Sequence, residues 1–201
     1  MVITEIEALN RSKTQVTVDD DLRFTLPAGT VEALGLFAGR SLSDQEYGYI
    51  YEEYIRRPAK LKALSLLERR DYTRKELKDK LTQQGFPEAA VLEALSYVES
   101  YHYIDDTRYA QSFLAYRAGG KSRQMVYQTL LARGVDSETI RTCMDAWETD
   151  DIENIRRICE RKFGDIHGIP PEKKQKIFNY FLRKGYKYGD IASVIRDFDS
   201  I

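Results

Sequence analysis

Two histidines and two cysteines are all that this chain of 201 residues offers for metal or thiol chemistry. Cys143 and Cys159 form no CxxC pair, and two thiols are too few for a disulfide framework. His102 and His167 lie far from the thiols and from each other, so no metal-ligand spacing arises. No apolar run approaches the length of a membrane span, and Glu5 and Glu7 interrupt the first apolar residues where a signal peptide would need them. A glycine-rich phosphate loop is absent, as is any grouping of nucleophile, base and orienting residue. These gaps disfavour a secreted disulfide scaffold, a metalloprotein, a membrane protein and the common enzyme classes. The expectation is a cytoplasmic protein in a reducing compartment, with no cofactor, no metal and no catalytic residue.

What is present is a repeat. Relative to Gly85, apolar residues stand eight and four positions before (Leu77, Leu81) and six and ten after (Val91, Leu95). The same offsets from Gly134 give Val126, Leu130, Ile140 and Met144, and from Gly185 they give Ile177, Phe181, Ile191 and Ile195. Apolar pairs four apart on both sides of a glycine describe two amphipathic helices, the first ended by a residue that tolerates positive φ. Three copies in a common glycine register predict a helical repeat array.

Net charge is only −1, which argues against an obligate nucleic-acid binder, but the charge is phased with the repeat. Residues 56–80 hold ten bases and four acids, whereas residues 81–106 hold five acids and no base. Residues 107–135 hold five bases (Arg108, Arg117, Lys121, Arg123, Arg133) and no acid, and residues 136–151 hold six acids against Arg141 alone. In the third copy Lys173, Lys174, Lys176, Arg183, Lys184 and Lys187 run without an acid until Asp190. A single cluster of this kind is an ordinary solvated helix face. Recurrence at one repeat phase points instead to a basic ridge and an acidic one, and so to a binding surface.

The N-terminal stretch has a different period. Val16 and Val18, then Leu22, Phe24 and Leu26, alternate with polar residues around the turn Asp19-Asp20-Asp21. That predicts a hairpin, with residues 2–6 as a third strand and Pro27 as its end. Thr30 is placed to cap a short helix over residues 31–36, and Ser43 with Glu46 forms a capping box for a helix over residues 44–57. So few strands must lean on helices for stability. Pro58 marks a boundary or kink, and a helix over residues 59–69 follows with Leu61, Leu64, Leu66 and Leu67 as its stripe. Thr73 with Glu76 caps the next helix, Pro87 takes the first position of the third, and Ser122 repeats the role of Thr73 twelve residues before its glycine. Leu64 and Leu67 map onto Phe113 and Tyr116; the third copy opens over residues 152–163 and restarts after Pro170 and Pro171. The predicted fold is mainly α, with tandem three-helix repeats in an elongated array behind a small N-terminal β-hairpin/helix module. The divisions are residues 1–57 for that module, and 58–106, 107–149 and 150–201 for the repeats.

Between the first two repeats lies Tyr103-Ile-Asp-Asp-Thr-Arg-Tyr-Ala110, where Asp106 can cap a helix from Thr107 and Arg108 can pair with Asp105. Adjacent aspartates without a metal ligand, base or phosphate loop are structural. With this stretch, with residues 63–81 followed by Gly85-Phe-Pro, and with Gly120-Lys-Ser-Arg123 leading to Leu130-Leu-Ala-Arg-Gly-Val135, the chain resembles the RecX family of bacterial recombinase regulators. His102 stands where that family commonly has a glycine, and histidine tolerates the left-handed cap better than most residues. The low net charge also departs from the family's frequent basicity.

The resemblance implies a non-enzymatic protein that binds the RecA–single-stranded DNA filament and inhibits its ATPase, strand exchange and extension. Its contact with single-stranded DNA itself is then weak or indirect, and the protein acts as a monomer. The residues of the expected contact surface are Arg69, Arg70, Arg74 and Lys78 in the first repeat, with Arg117, Lys121, Arg123 and Arg133 in the second. The alternative is a stand-alone DNA-binding protein built from helix-turn-helix-like units, with Tyr109, Tyr116 and Tyr127 interleaved among the bases. Tyrosines at helical spacing are more often core.

Overall fold

A computed structural model describes residues 1–164, 166 and 168–199; His167 lies outside them. The chain forms two compact units, Met1–Asp105 and Asp106–Ile201.

In the first unit, strands β1 (Ile3–Asn10), β2 (Lys13–Val18) and β3 (Leu22–Pro27) form an antiparallel sheet in that order. Asp19 and Asp20 turn the β2–β3 hairpin at positive φ, which short polar side chains tolerate. Alternation puts Val16, Val18, Phe24 and Leu26 on one buried face. That face packs into the same core as the first repeat, so the small sheet is stabilised by helices as its size requires. Helix α1 (Ala28–Ala33) begins directly after Pro27 rather than after Thr30. Proline's fixed φ suits the helix entry, and Thr30 falls inside the helix instead of capping it.

The helix predicted to stop at residue 57 does not stop there. From Ser43, whose capping box with Glu46 is complete, α2 (Asp44–Ile50) passes through a π-helical turn (Tyr51–Arg56) into α3 (Arg57–Leu67). Pro58 offers no N–H to the turn behind it and crowds the carbonyl four residues back, so the preceding turn widens while the helix continues. The packing stripe of α3 also differs from expectation. Ala59 and Ala63 are fully buried, Leu64, Leu66 and Leu67 are half-buried, and Leu61 is exposed. Small residues let α3 approach helix α5 (Glu88–Ser100), which presents Ala90, Val91, Ala94 and Leu95 to the same core.

Helix α4 (Arg74–Gln83) starts at Thr73, whose fully buried side chain accepts from the Glu76 amide at 3.1 Å. Pro87 precedes α5 as its cap residue, one position earlier than its predicted place. In the second unit, α6 (Asp106–Tyr116), α7 (Arg123–Ala132) and α8 (Ser137–Asp145) make the second repeat. Asp106 is the first residue of α6 rather than the residue before it. Helices α9 (Asp151–Phe163), α10 (Pro171–Arg183) and α11 (Tyr188–Asp199) make the third.

The repeat positions are the core. Leu77, Leu81, Val91 and Leu95, then Val126, Leu130, Ile140 and Met144, then Ile177, Phe181 and Ile191 are all buried, and Ile195 is half-buried. Gly85, Gly134 and Gly185 sit at φ near +90°, at +89°, +92° and +81°. After Gly134 and Gly185 the next amide returns to the carbonyl five residues back (Val135 to Leu130, Tyr186 to Phe181), the helix-ending pattern that only a left-handed residue allows. His102 adopts the same left-handed conformation at +55°, and Tyr103 bonds back to Val98.

Candidate functional site

The cations of the first repeat are largely engaged within it. Arg74 Nε donates to Glu99 Oε1 at 2.6 Å, and Lys78 Nζ to Glu88 Oε1 at 3.0 Å, tying α4 to α5. The Arg70 guanidinium lies over the Tyr72 ring at 4.0 Å and within 3.9 Å of Glu76. Arg69 is exposed in the loop after α3. Part of the charge phase is therefore explained locally: the basic second helix of this repeat faces carboxylates at both ends of its third. Exposed pairs of this kind contribute about 0–1 kcal/mol each.

In the second unit the cations converge. Lys121 Nζ donates to the Arg117 carbonyl at 3.1 Å and stands 4.8 Å from the Phe113 ring centre. The Arg133 guanidinium is 5.7 Å from the same ring and hydrogen-bonds the Tyr109 hydroxyl. Lys184, at the end of α10, joins them from the third repeat. It is carried there by a backbone contact, the Ser122 amide donating to the Lys184 carbonyl at 3.1 Å. Burial lowers the Lys121 pKa, and the charges of Lys184, Arg133 and Arg117 lower it further. Like charges held together against an aromatic face raise each other's energy, and an anion entering among them relieves that. Tyr116, mapped from the repeat onto a core position, is instead 86% exposed beside Arg117. Its ring is available for stacking; Tyr109 is buried and Tyr127 half-buried.

Arg123 has a different role from its neighbours. Its guanidinium donates to the carbonyls of Met144 (2.9 Å) and Trp147 (3.0 Å), and its amide donates to Asp151 Oδ1 at 3.0 Å. A cation on carbonyls at and just past the end of α8 complements the negative end of that helix, so Arg123 joins the ends of α7, α8 and α9. Burial raises the Asp151 pKa, opposed by the Arg123 amide. Among the described residues no group of three or more His, Cys, Asp or Glu could hold a metal ion, and no helix is long and apolar enough to cross a membrane.

Comparison with known proteins decides the family. The profiles of the first, second and third RecX three-helix domains match residues 59–97, 105–144 and 148–195. A regulatory protein RecX from Caldanaerobacter subterraneus subsp. tengcongensis is 34% identical over 200 residues, covering 97% of this chain and 98% of the relative. The chain belongs to the RecX family. A Clostridium acetobutylicum RecX is 27% identical over 203 residues, covering 97% and 95%. The fold agrees with a crystal structure of regulatory protein RecX (TM-score 0.61, 19% identity, 98% of each chain). It also agrees with that of RecX from Lactobacillus salivarius (TM-score 0.55, 24% identity, 72% of this chain and 96% of the other).

Within this RecX chain, then, Arg69 stands exposed in the loop after α3, and the other seven of the eight cations singled out in the sequence divide three ways. Arg117, Lys121 and Arg133 come together; Arg70, Arg74 and Lys78 engage partners within the first repeat; Arg123 is part of the scaffold. Lys184 was not among them. Its signal was present, since it precedes Gly185 as Arg133 precedes Gly134.

Proposed function

We propose that this RecX protein binds the RecA–single-stranded DNA filament as a monomer in the bacterial cytoplasm and inhibits its ATPase, strand exchange and extension. The observation that carries the contact assignment is the cluster of Arg117, Lys121, Arg133 and Lys184 around Phe113. Such a cluster suits an acidic protein face or a phosphate backbone, where charge complementarity sets register and association rate. A stand-alone DNA-binding role is the second reading. The exposed Tyr116 beside Arg117 favours it, because an aromatic next to a cation is a stacking platform for bases.

The two readings separate by salt. Added to preformed filaments, the protein is expected to suppress ATP hydrolysis at stoichiometric or lower levels, at salt that abolishes its binding to DNA alone, since phosphate contacts weaken steeply with salt. Unchanged hydrolysis and strand exchange would overturn the regulatory reading. Inhibition that vanishes together with DNA-only binding would favour the second.

A further inference from the structure

A half-open cavity of about 550 Å³ lies in the first unit, where the sheet meets the first repeat. Leu26 and Pro27 of β3, Tyr54 of the π-helical turn, Pro58 and Leu61 of α3 and Phe86 after the repeat glycine make its apolar wall. Leu61 is 58% exposed at this mouth, on a helix whose buried stripe is made by alanines. Lys13 and Lys62 stand at the rim, and no carboxylate lines the cavity. The Lys13 ammonium donates to the Gln84 carbonyl at 3.1 Å, which neutralises none of its charge. Among the described residues neither lysine is in an ion pair, whereas Arg56, Arg57, Arg74 and Lys78 of the same unit all are.

We propose that this cavity is a docking site for an acidic peptide segment of a partner protein, one large apolar side chain entering against Leu61 and Phe86 while flanking carboxylates meet Lys13 and Lys62. The volume suits it, because binding pockets of about 300–1,000 Å³ take a compact apolar group held by a few polar contacts. The charge supports it as well. With a net charge of −1 the chain exerts no general pull on an acidic peptide, so attraction is local to unpaired cations. A π-helical turn in one wall fits a functional use, since such turns recur at binding sites. The site lies outside the cation cluster of the second unit and stands independently of its role.

The test uses the full chain and a fluorescent peptide with one phenylalanine flanked on each side by two aspartates. Two control peptides replace either the aspartates by asparagines or the phenylalanine by alanine. Saturable binding by anisotropy is expected for the first peptide and a loss of roughly tenfold or more for each control, the scale of losing one good contact. Leu61→Asp and Lys62→Glu are expected to weaken it similarly, with circular dichroism and melting temperature unchanged because Leu61 is exposed and Lys62 is half-buried at the cavity rim, outside the buried core. Arg117→Glu is expected to leave it unchanged. No saturable binding, equal binding of all three peptides, or a loss that follows Arg117→Glu and not Lys62→Glu would each overturn the proposal.

Discussion

A single buried thiol reports on the third repeat. Cys159 is fully buried on α9, and burial pushes its pKa up to about 11 from an ordinary 9.0. The unfolded chain therefore ionises this thiol first. Its contribution to stability is complete below pH 9, declines as the pH rises from there, and is lost once the folded thiol ionises near 11. Denaturant midpoints from pH 8 to 11 should fall for the wild type and fall less steeply for Cys159→Ala. Equal slopes would show that the thiol is not shielded as described. Arg123 makes a second prediction at this scale. Removing its guanidinium leaves the Met144 and Trp147 carbonyls without that donor, so Arg123→Ala should cost about 2 kcal/mol, the range for hydrogen bonds to charged groups. A melting temperature equal to wild type would return Arg123 to the contact surface, where the sequence had placed it.

At the scale of the element, the recurring glycine has two duties of different visibility. Positive φ was legible from its place between amphipathic helices, and His102 in the same conformation shows that other residues can sustain it. The close approach was not legible. A Cβ on Gly185 would stand 2.8 Å from Ser122 Oγ and 2.9 Å from Met125 Cβ, and one on Gly85 would stand 2.3 Å from Thr25 Oγ1. Gly185 thus seats the third repeat on the start of α7, and Gly85 seats the first repeat on β3. Gly39 isolates the conformational part, having φ +88° with open space around it. Gly39→Ala should cost about 1 kcal/mol from backbone strain, and Gly185→Ala clearly more, at roughly 3 kcal/mol, because Met125 must also move. Equal costs in chemical denaturation would reduce the glycine to its conformational role.

The same scale shows why some elements were legible and others were not. Caps at Ser43, Thr73 and Ser122 depend on residues within one turn, and each is found where its pattern placed it. The helix crossing Pro58 is not legible in the sequence because proline usually ends a helix, and the π-helical turn that carries the chain past it packs Ile55 into the shared core. Leu61 reads as core in the sequence because it is apolar and in phase. The alanines beside it won the interior since they allow helices α3 and α5 to approach more closely.

For the molecule, charge phase was readable as a pattern but not as a surface. Sequence shows that bases precede each glycine and acids follow it. It does not show that Arg74 and Lys78 spend that charge on Glu99 and Glu88, while Lys121 has other cations for company. The regulatory role of the RecX family enters through residues 59–195, which carry all three of its domains. The contact surface enters through tertiary structure, because Lys184 reaches Lys121 only when the third repeat docks on Ser122. The most direct measurement is inhibition of filament ATPase by Arg117→Glu/Lys184→Glu, compared with Arg74→Glu/Lys78→Glu and wild type. The cluster variant should need roughly tenfold more protein for half-inhibition, equivalent to about 1.4 kcal/mol, and the first-repeat variant much less. Undiminished inhibition by the cluster variant, with its fold intact, would contradict the account.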